Sequence, residues 1–152
     1  MGLQEEIKQS KFRNDYQKAA INILYTNGWL DQKIKGFLKN HGLTGQQYNV
    51  LRILRGSSPK PLSTQQIRDR MLDKMSDSSR IVDRLVLKDL AEKEVCSHDK
   101  RLVDVLITDL GLELLAKIDR EEKHIDSHLS HITEFEAREL NRILDKIRGS
   151  EK

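Results

Sequence analysis

The apolar residues of this 152-residue chain recur mostly in steps of three and four, which is the repeat of a helix with one buried face. Near the N-terminus this apolar stripe runs from Tyr16 through Ile23 to Leu38. Asn27-Gly28 interrupts the stripe, and we expect this pair to bend or split the helix. One small domain cannot cover so long a stripe, so the pattern predicts a second chain as its partner.

A glycine turn is expected between this long helix and the next one. Gly42 suits the end of the long helix because glycine readily adopts the left-handed conformation that ends many helices. Thr44 can cap the helix that follows, and the core stripe of that helix is Tyr48, Leu51 and Leu54.

A loop, a short strand and two further helices are expected next. The loop holds both prolines of the chain, and Leu62-Ser63 is expected to form a very short strand. Thr64 opens a helix, and Ser76 or Asp73 caps the helix after it, which runs to about Leu90.

The period changes from helical to two between Val103 and Ile107, which is typical of a β-strand. The polar segment 98–101 before it is typical of the tip of a β-hairpin. A long helix then starts at Thr108, and Thr133 opens a last helix with a sequence that resembles a capping box. The expected inward residues of these two helices are Leu115, Ile118, Ile125, Leu129, Ile132, Leu140, Ile143, Leu144 and Ile147.

The composition suits a helical protein with long solvated faces. Charged residues make up 34% of the chain and aromatic residues only 5%, so the core must consist of Leu, Ile and Val. The charge is uneven, because residues 1–59 carry 9 basic and 4 acidic side chains, residues 60–104 carry 10 and 9, and residues 105–152 carry 8 and 11. A basic balance with an acidic tail region permits nucleic-acid binding but does not establish it.

Several classes of protein are not expected from this sequence. No apolar run approaches the ~18 residues of a membrane span, and the N-terminus lacks the apolar segment of a signal peptide. Cys96 is the only cysteine, which excludes an internal disulfide framework and indicates a cytoplasmic protein. The chain has no G-x-S-x-G, no Walker motif and no supported Cys–His pair, so we expect neither an enzyme nor a cofactor.

Three short helices followed by a β-hairpin is the order of a winged helix-turn-helix, and here the sequence resembles the MarR (multiple antibiotic resistance regulator) family. Residues 43–54, LTGQQYNVLRIL, resemble the family's pattern of Leu-Thr, Gln, an aromatic residue and Val-Leu. Residues 83–90 resemble the end of its recognition helix, and residues 99–111 resemble its wing and the start of the next helix. The three segments occur in order and at matching spacing.

The resemblance implies a mainly α fold with a small β-hairpin wing. One winged-helix domain would span residues 1–152, with dimerisation helices at 1–40 and 112–152 and a winged helix-turn-helix DNA-binding module at 43–111. The resemblance also implies a homodimer that binds double-stranded DNA at a pseudo-palindromic operator. Such a protein is a transcriptional regulator, most often a repressor, and a small-molecule effector releases it by binding between the dimer helices and the winged module.

The sequence also departs from the family. Asp89 stands where a glycine is common, Ser78-Ser79 stands where a small apolar residue and threonine are frequent, and the wing has only two basic residues. Asp77, Asp83 and Asp89 in one helical region, with the nearly neutral segment 60–104, leave an alternative open. In that alternative the protein is a winged-helix protein–protein interaction module that has lost DNA binding.

The resemblance implies DNA contacts in two helices. The early, outward part of the recognition helix would hold Ser76, Asp77, Ser79, Arg80 and Arg84. Arginine pairs with guanine O6 and N7 in the major groove. The start of the preceding helix would supply phosphate donors, because helix N-termini attract anions, and these are Ser63, Thr64, Gln65 and Gln66. The structural alternatives are simple capping and arginines that pair with nearby acids on a solvated face.

The predicted wing supplies two more residues, Lys100 and Arg101. The family places a minor-groove arginine at the position of Arg101, and a narrow minor groove favours a cation. The structural alternative is a hairpin-tip arginine paired with Asp99. Cys96, in a predicted strand of the wing, is expected to be a buried and inert thiol.

Three histidines, His124, His128 and His131, share one helix face at i, i+4 and i+7. This spacing could ligate Zn²⁺ with Glu121 or Asp126 nearby. Histidines on a solvated or subunit-facing helix are the commoner explanation, so we predict no metal site and assign these residues no role.

Overall fold

The computed structural model describes residues 1–95 and 102–149 and confirms a mainly α fold with a small antiparallel sheet. The helices are α1 (Leu3–Glu6), α2 (Asp15–Lys39), α3 (Gly45–Ser57), α4 (Thr64–Arg70), α5 (Ser78–Leu87), α6 (Asp109–Asp119), α7 (Glu122–Asp126) and α8 (Glu134–Ile147), with a 3₁₀ turn at Ser127–Leu129. The strands are β1 (Leu62–Ser63), β2 (Ala91–Val95) and β3 (Val103–Ile107). The chain divides into two compact units, residues 1–119 and 120–152.

The sheet of the first unit places the central strand β3 between β1 and β2, and both pairings are antiparallel. Leu62 is paired with Val105, and Ala91 is paired with Ile107. Val105 and Ile107 are buried, so the period of two in the sequence marks the inner face of this strand. The predicted short strand and the predicted β3 are both present.

The core of the first unit lies between α3, α4, α5 and the sheet. Complete burial of one such side chain stabilises the fold by about 1.5–3 kcal/mol. The largest fully buried side chains are Leu38, Leu51, Leu54, Leu62, Ile67, Leu85, Leu115, Ile118, Val50, Val82 and Val105.

The first long helix does not split at Asn27-Gly28, so the predicted split is wrong. Helix α2 is continuous through this pair, because a single glycine in a helix costs only about 1 kcal/mol relative to alanine. The helix begins instead at Asn14, whose side-chain oxygen accepts a hydrogen bond from the backbone N–H of Gln17 at 2.9 Å. The backbone N–H groups in the first turn of a helix have no acceptor within the helix, and the asparagine side chain supplies one of the missing acceptors.

The prediction of one helix from Thr108 to the end of its apolar stripe is wrong as well, because this helix is interrupted. Helix α6 ends at Asp119 and helix α7 begins at Glu122. The apolar step from Ile118 to Ile125 spans this break, so a pattern that counts helical repeats continues across it. No glycine or proline marks the position, and the sequence therefore carried no local signal for the break.

Helix α8, in the second unit, begins with the predicted capping box. The hydroxyl of Thr133 accepts a hydrogen bond from Glu136 N at 3.1 Å, and the Glu136 carboxylate accepts one from Thr133 N at 3.0 Å. The hydrogen bond that the backbone N–H of Thr133 donates to the carboxylate, together with one from the Thr133 side chain, lowers the pKa of Glu136. The expected inward face of α8 is exposed in the chain, however, since Ile143 is 45% exposed and none of its described residues is buried.

A close contact joins the end of the sheet to α6. A Cβ atom on Gly111 would lie 2.5 Å from the carbonyl oxygen of Leu90 and 2.7 Å from Ile107 Cγ1. The hydroxyl of Thr108 accepts a hydrogen bond from Gly111 N at 3.0 Å and donates one to the carbonyl of Asp89 at 2.7 Å. Asp89 itself has a φ of 60°, which explains why glycine suits this position.

Candidate nucleic-acid interface

The starts of α4 and α5 border an open groove of about 360 Å³. Members of two of the three predicted groups of DNA-contacting residues therefore line the same groove. The residues that line the groove are Thr64, Gln65, Arg68, Met75, Ser76, Asp77, Ser78 and Ser79.

The start of α4 is closed by a capping box. The Ser63 hydroxyl accepts a hydrogen bond from Gln66 N at 3.1 Å, and Gln66 Oε1 accepts one from Ser63 N at 2.9 Å. Gln65 Nε2 donates to Asp69 at 2.9 Å. The capping alternative therefore holds, but these bonds use neither the hydroxyl proton of Ser63 nor the side-chain NH₂ group of Gln66. Both groups can still donate to a phosphate.

The start of α5 differs from the prediction by one residue. Asp77, rather than Ser76 or Asp73, caps the helix by accepting a hydrogen bond from Arg80 N at 3.2 Å. Ser76 is only 7% exposed, and its hydroxyl accepts a hydrogen bond from Gln46 Nε2 at 3.1 Å. The expectation that Ser76 faces outward is wrong, because its hydroxyl joins the turn before α5 to helix α3.

The outward face of α5 carries two exposed arginines, Arg80 and Arg84, one helical turn apart. Within residues 1–95 and 102–149, neither guanidinium forms an ion pair. Asp83, which lies between them in the sequence, pairs instead with Lys93 of β2. Within the described residues, therefore, these two arginines do not form the ion pairs with nearby acids that the structural alternative required.

Two adjacent glutamines at the start of α3 hold the two ends of α5. Gln46 bonds to Ser76 before the helix, and Gln47 Oε1 accepts a hydrogen bond from Lys88 Nζ after it at 3.1 Å. Lys88 Nζ also donates to the carbonyl of Gly42 at 2.5 Å. Each such bond contributes about 0.5–1.5 kcal/mol net, so the four residues Gln46, Gln47, Ser76 and Lys88, which we call the α5 clamp, fix the helix in position.

Sequence reasoning missed the α5 clamp and three groove residues, Arg68, Met75 and Ser78. The available signal for the clamp was the glutamine in the family pattern around Thr44, since Gln47 Oε1 also accepts a hydrogen bond from Thr44 N. Arg68 is exposed and lines the groove. Its signal was its position on α4, one turn after Thr64, which places both residues on one helix face.

The predicted wing residues Lys100 and Arg101 lie outside the described residues, as do Cys96 and Asp99. The expectations for their roles stay predictions. The strands that flank them are described, and Val95 is paired with Val103 at that end of the sheet.

A second open cavity of about 460 Å³ lies in the first unit, beside the C-terminal end of α5. It combines apolar side chains with charged ones, and it includes the clamp residue Lys88. The residues that line this cavity are His41, Gly42, Lys88, Leu90, Leu110, Glu113, Leu114 and Lys117.

The histidines of the second unit form no recognisable metal site. The rings of His124 and His128 meet edge to face with centroids 5.4 Å apart. Among the residues that the structure describes, no group of three or more His, Cys, Asp or Glu side chains is placed to hold a metal ion. The helices in the same residues include none that is long and apolar enough to cross a membrane.

Comparisons with known proteins agree with this geometry. Residues 41–102 match the family model described as MarR family. The HTH-type transcriptional regulator MhqR of Bacillus subtilis is 29% identical over 111 residues, which are 72% of this chain and 75% of MhqR.

Solved structures extend the likeness over most of the chain. The crystal structure of a MarR transcription factor from Planctomyces limnophilus is 29% identical, with a TM-score of 0.68 over 89% of this chain and 98% of that one. A mutant MarR from E. coli, complexed with operator DNA, has a TM-score of 0.80 at 22% identity over 91% of this chain and 99% of its own. The proteins of this family are transcriptional regulators and not enzymes. Residues 41–102 of this chain thus match the MarR family, and the chain as a whole is similar to a MarR transcription factor over 89% of its length.

Proposed function

We propose that this protein binds a pseudo-palindromic operator in double-stranded DNA as a homodimer, and that it represses transcription until a small molecule releases it. We also propose that the protein acts in the cytoplasm. DNA contact is assigned to the groove between α4 and α5 and to the wing. The residues assigned to contact are Ser63, Thr64, Gln65, Gln66, Asp77, Ser79, Arg80, Arg84, Lys100 and Arg101, while Ser76 acts through the α5 clamp.

The observation that carries this proposal is the division of α5 into two faces. Ile81, Val82 and Leu85 are buried, whereas Arg80 and Arg84 are exposed on the opposite side. An arginine such as Arg80, which forms no ion pair among the described residues, can pair its guanidinium with guanine O6 and N7 in a major groove. Because the clamp fixes the helix at both ends, little conformational entropy is lost when it binds.

The exposed apolar residues of two helices support the homodimer. In α2, Tyr16 is 87% exposed and Leu24 is 72% exposed. In α8, Phe135 is 63% exposed and Ile147 is 61% exposed. Large apolar patches on a protein surface mark interaction sites. A second copy of the chain would remove these side chains from water and place two winged modules at a fixed distance, as a pseudo-palindromic site requires.

The cavity beside the end of α5 supports the small-molecule effector. Its volume of about 460 Å³ falls in the ~300–1,000 Å³ range of small-molecule sites. Lys88 lines this cavity and also bonds to Gln47 in the clamp. A molecule that draws Lys88 away from Gln47 would loosen the C-terminal end of α5 and so weaken DNA binding.

The acidic residues that favoured a pure protein-interaction module have local structural roles. Asp77 caps α5, Asp83 pairs with Lys93, and Asp89 occupies the turn after α5. They therefore give little support to the loss of DNA binding, and we favour the regulator that binds DNA.

The test is a fluorescence-anisotropy titration with operator DNA selected from a random pool. Arg80→Ala should cost about 1–3 kcal/mol on the operator and less on random DNA, since it removes a base contact. Arg101→Ala should weaken binding to many sequences alike and reduce the salt dependence by roughly one ion-equivalent. Arg138→Ala on α8 removes an exposed arginine elsewhere and serves as the control.

Three results would contradict the proposal or one of its parts. A pool that yields no bound sequence would favour the protein-interaction module. Arg80 and Arg101 variants that both retain the affinity and salt slope of the parent would move the binding surface away from α5 and the wing. An exchanged pattern, with Arg101→Ala selective and Arg80→Ala uniform, would reverse the roles assigned to these two arginines.

A further inference from the structure

Met75 is an exposed apolar side chain inside an otherwise polar groove. It lies in the turn between α4 and α5, lines the groove and is 89% exposed. By contrast, Met71, four residues earlier in the chain, is only 2% exposed and belongs to the core. Met75 therefore contributes little to the core of this unit, and its side chain is accessible to a partner that enters the groove.

The turn that carries Met75 is held by hydrogen bonds. The Asp73 carboxylate accepts a hydrogen bond from Met75 N at 2.9 Å, and the Asp73 carbonyl accepts one from Ser76 N at 3.2 Å. Ser76 is in turn bonded to Gln46 of α3. The backbone of Met75 is therefore placed directly beside the start of α5, while its unbranched side chain stays adaptable.

The surroundings of Met75 favour DNA as its partner. Gln65, Arg68 and Ser79 line the same groove, and the exposed Arg80 follows on α5. Asp77 also lines the groove, and its carboxylate accepts the hydrogen bond from Arg80 N that caps α5. Hydrogen-bonding side chains together with arginines suit the phosphates and base edges of a major groove. The C5-methyl group of thymine is the apolar feature that base edges present in that groove.

Resting on the DNA-binding function proposed above, we propose that Met75 determines specificity by contacting the C5-methyl group of one thymine in each operator half-site. The residues of a recognition helix that contact bases lie at its N-terminal end, and Met75 lies two residues before Asp77, the N-cap of α5. Arg80 and Met75 then read different chemical features of neighbouring bases.

Replacing thymine by uracil tests this contact, because uracil keeps every hydrogen-bonding group and lacks only the methyl group. Each thymine of the selected operator is replaced in turn in both half-sites, and affinity is measured for the parent protein and for Met75→Ala. The parent should lose roughly fourfold per half-site at one thymine position, which is the value of one buried methyl group. Met75→Ala should bind the thymine operator more weakly and should no longer respond to uracil at that position.

Leu72 provides the matched control. It lies in the same turn, is also 89% exposed and does not line the groove. Leu72→Ala should keep both the affinity of the parent and its response to uracil. Met75→Leu, which retains an apolar side chain, should keep a measurable response, and unchanged thermal unfolding checks that each variant is folded.

The outcomes separate this inference from the function on which it rests. A parent protein that binds no DNA contradicts both. A parent that binds its operator and ignores every uracil replacement overturns only the thymine contact. The same holds if Met75→Ala responds to uracil as the parent does. An unchanged operator affinity in Met75→Ala would also overturn it and would leave the exposed methionine as a surface for a partner protein.

Discussion

Two regions of this protein carry similar apolar stripes and use them differently. In the first unit, which contains the predicted winged module, Leu51, Ile67 and Leu85 are completely buried. In α8, Leu140 is 44% exposed and Ile143 is 45% exposed, although both occupy the apolar face of a well-capped helix. The first unit therefore has a core of its own, to which α2 and α6 also contribute, whereas the apolar face of α8 stays largely exposed among the described residues.

The difference shows what helical periodicity can and cannot establish. An apolar stripe indicates that a helix has a face to bury, but the period is the same whether the cover comes from the same chain or from another. Each large apolar side chain left in water forgoes about 1.5–3 kcal/mol of stabilisation. We therefore expect variants of the winged module to alter folding and variants of α8 to alter association.

The largest effect is expected from Gly111→Ala, which should disrupt the winged module. The new Cβ would meet Leu90 O at 2.5 Å and Ile107 Cγ1 at 2.7 Å, so the strand, the turn and α6 would have to separate. We expect the free energy of unfolding, measured by urea denaturation, to fall by about 3 kcal/mol.

The control for this variant is Gly56→Ala in α3. Apart from its chain neighbours and the nearby backbone of α3, no described atom lies within 4 Å of the position of a Cβ on Gly56, and alanine favours a helix by up to about 1 kcal/mol. This variant should be neutral or stabilising. Equal stability of the two variants would mean that the contacts around Gly111 do not limit the fold.

A smaller effect, on association rather than folding, is expected from Ile143→Glu. An exposed carboxylate on the apolar face of α8 cannot be buried against a second chain without a large desolvation cost. We expect the dimer dissociation constant to rise at least about thirtyfold, which corresponds to roughly 2 kcal/mol. Sedimentation or light scattering should then detect monomers at concentrations where the parent is dimeric.

Asn141→Glu is the control, since it adds the same charge to an exposed polar position of α8. It should leave the dimer intact. Circular dichroism of Ile143→Glu should retain the helical signal of the winged module. A monomeric parent protein, or dissociation of both variants to the same extent, would exclude the apolar face of α8 as the dimer contact.

The smallest effect is expected from Asp89→Gly in the turn after α5. Asp89 has a φ of 60°, a conformation that costs a side-chain-bearing residue more than glycine. Its carbonyl still accepts the hydrogen bond from Thr108 in the variant. We expect the midpoint of urea unfolding to rise with an unchanged slope, by about 0.5–1 kcal/mol in stability.

Gly42→Ala is the opposite experiment, because Gly42 has a φ of 69° with no atom near the position of its Cβ. It should lose about 1 kcal/mol through backbone strain alone. A destabilised Asp89→Gly variant would show that the carboxylate of Asp89 makes a contact worth more than the strain.

Much of the fold could be predicted because its signals are local in the sequence. The period of two at Val103 to Ile107 marked a strand, and Thr44 and Thr133 marked helix starts, as the structure confirms. The errors arose where a local signal was weak or absent. Gly28 was too small a perturbation to end α2, and the break between α6 and α7 falls within one regular apolar step.

Local sequence patterns were enough to predict most of the helices and strands, the caps at Thr44 and Thr133 and the family resemblance, because each of these depends on residues within a few positions of one another. Only the tertiary structure decided which side chains of the candidate interface face outward. Ser76 is buried because it meets Gln46, thirty residues away, and Lys88 meets Gln47 across forty-one residues. Contacts between such distant residues depend on how the elements pack, and no local period or spacing encodes them.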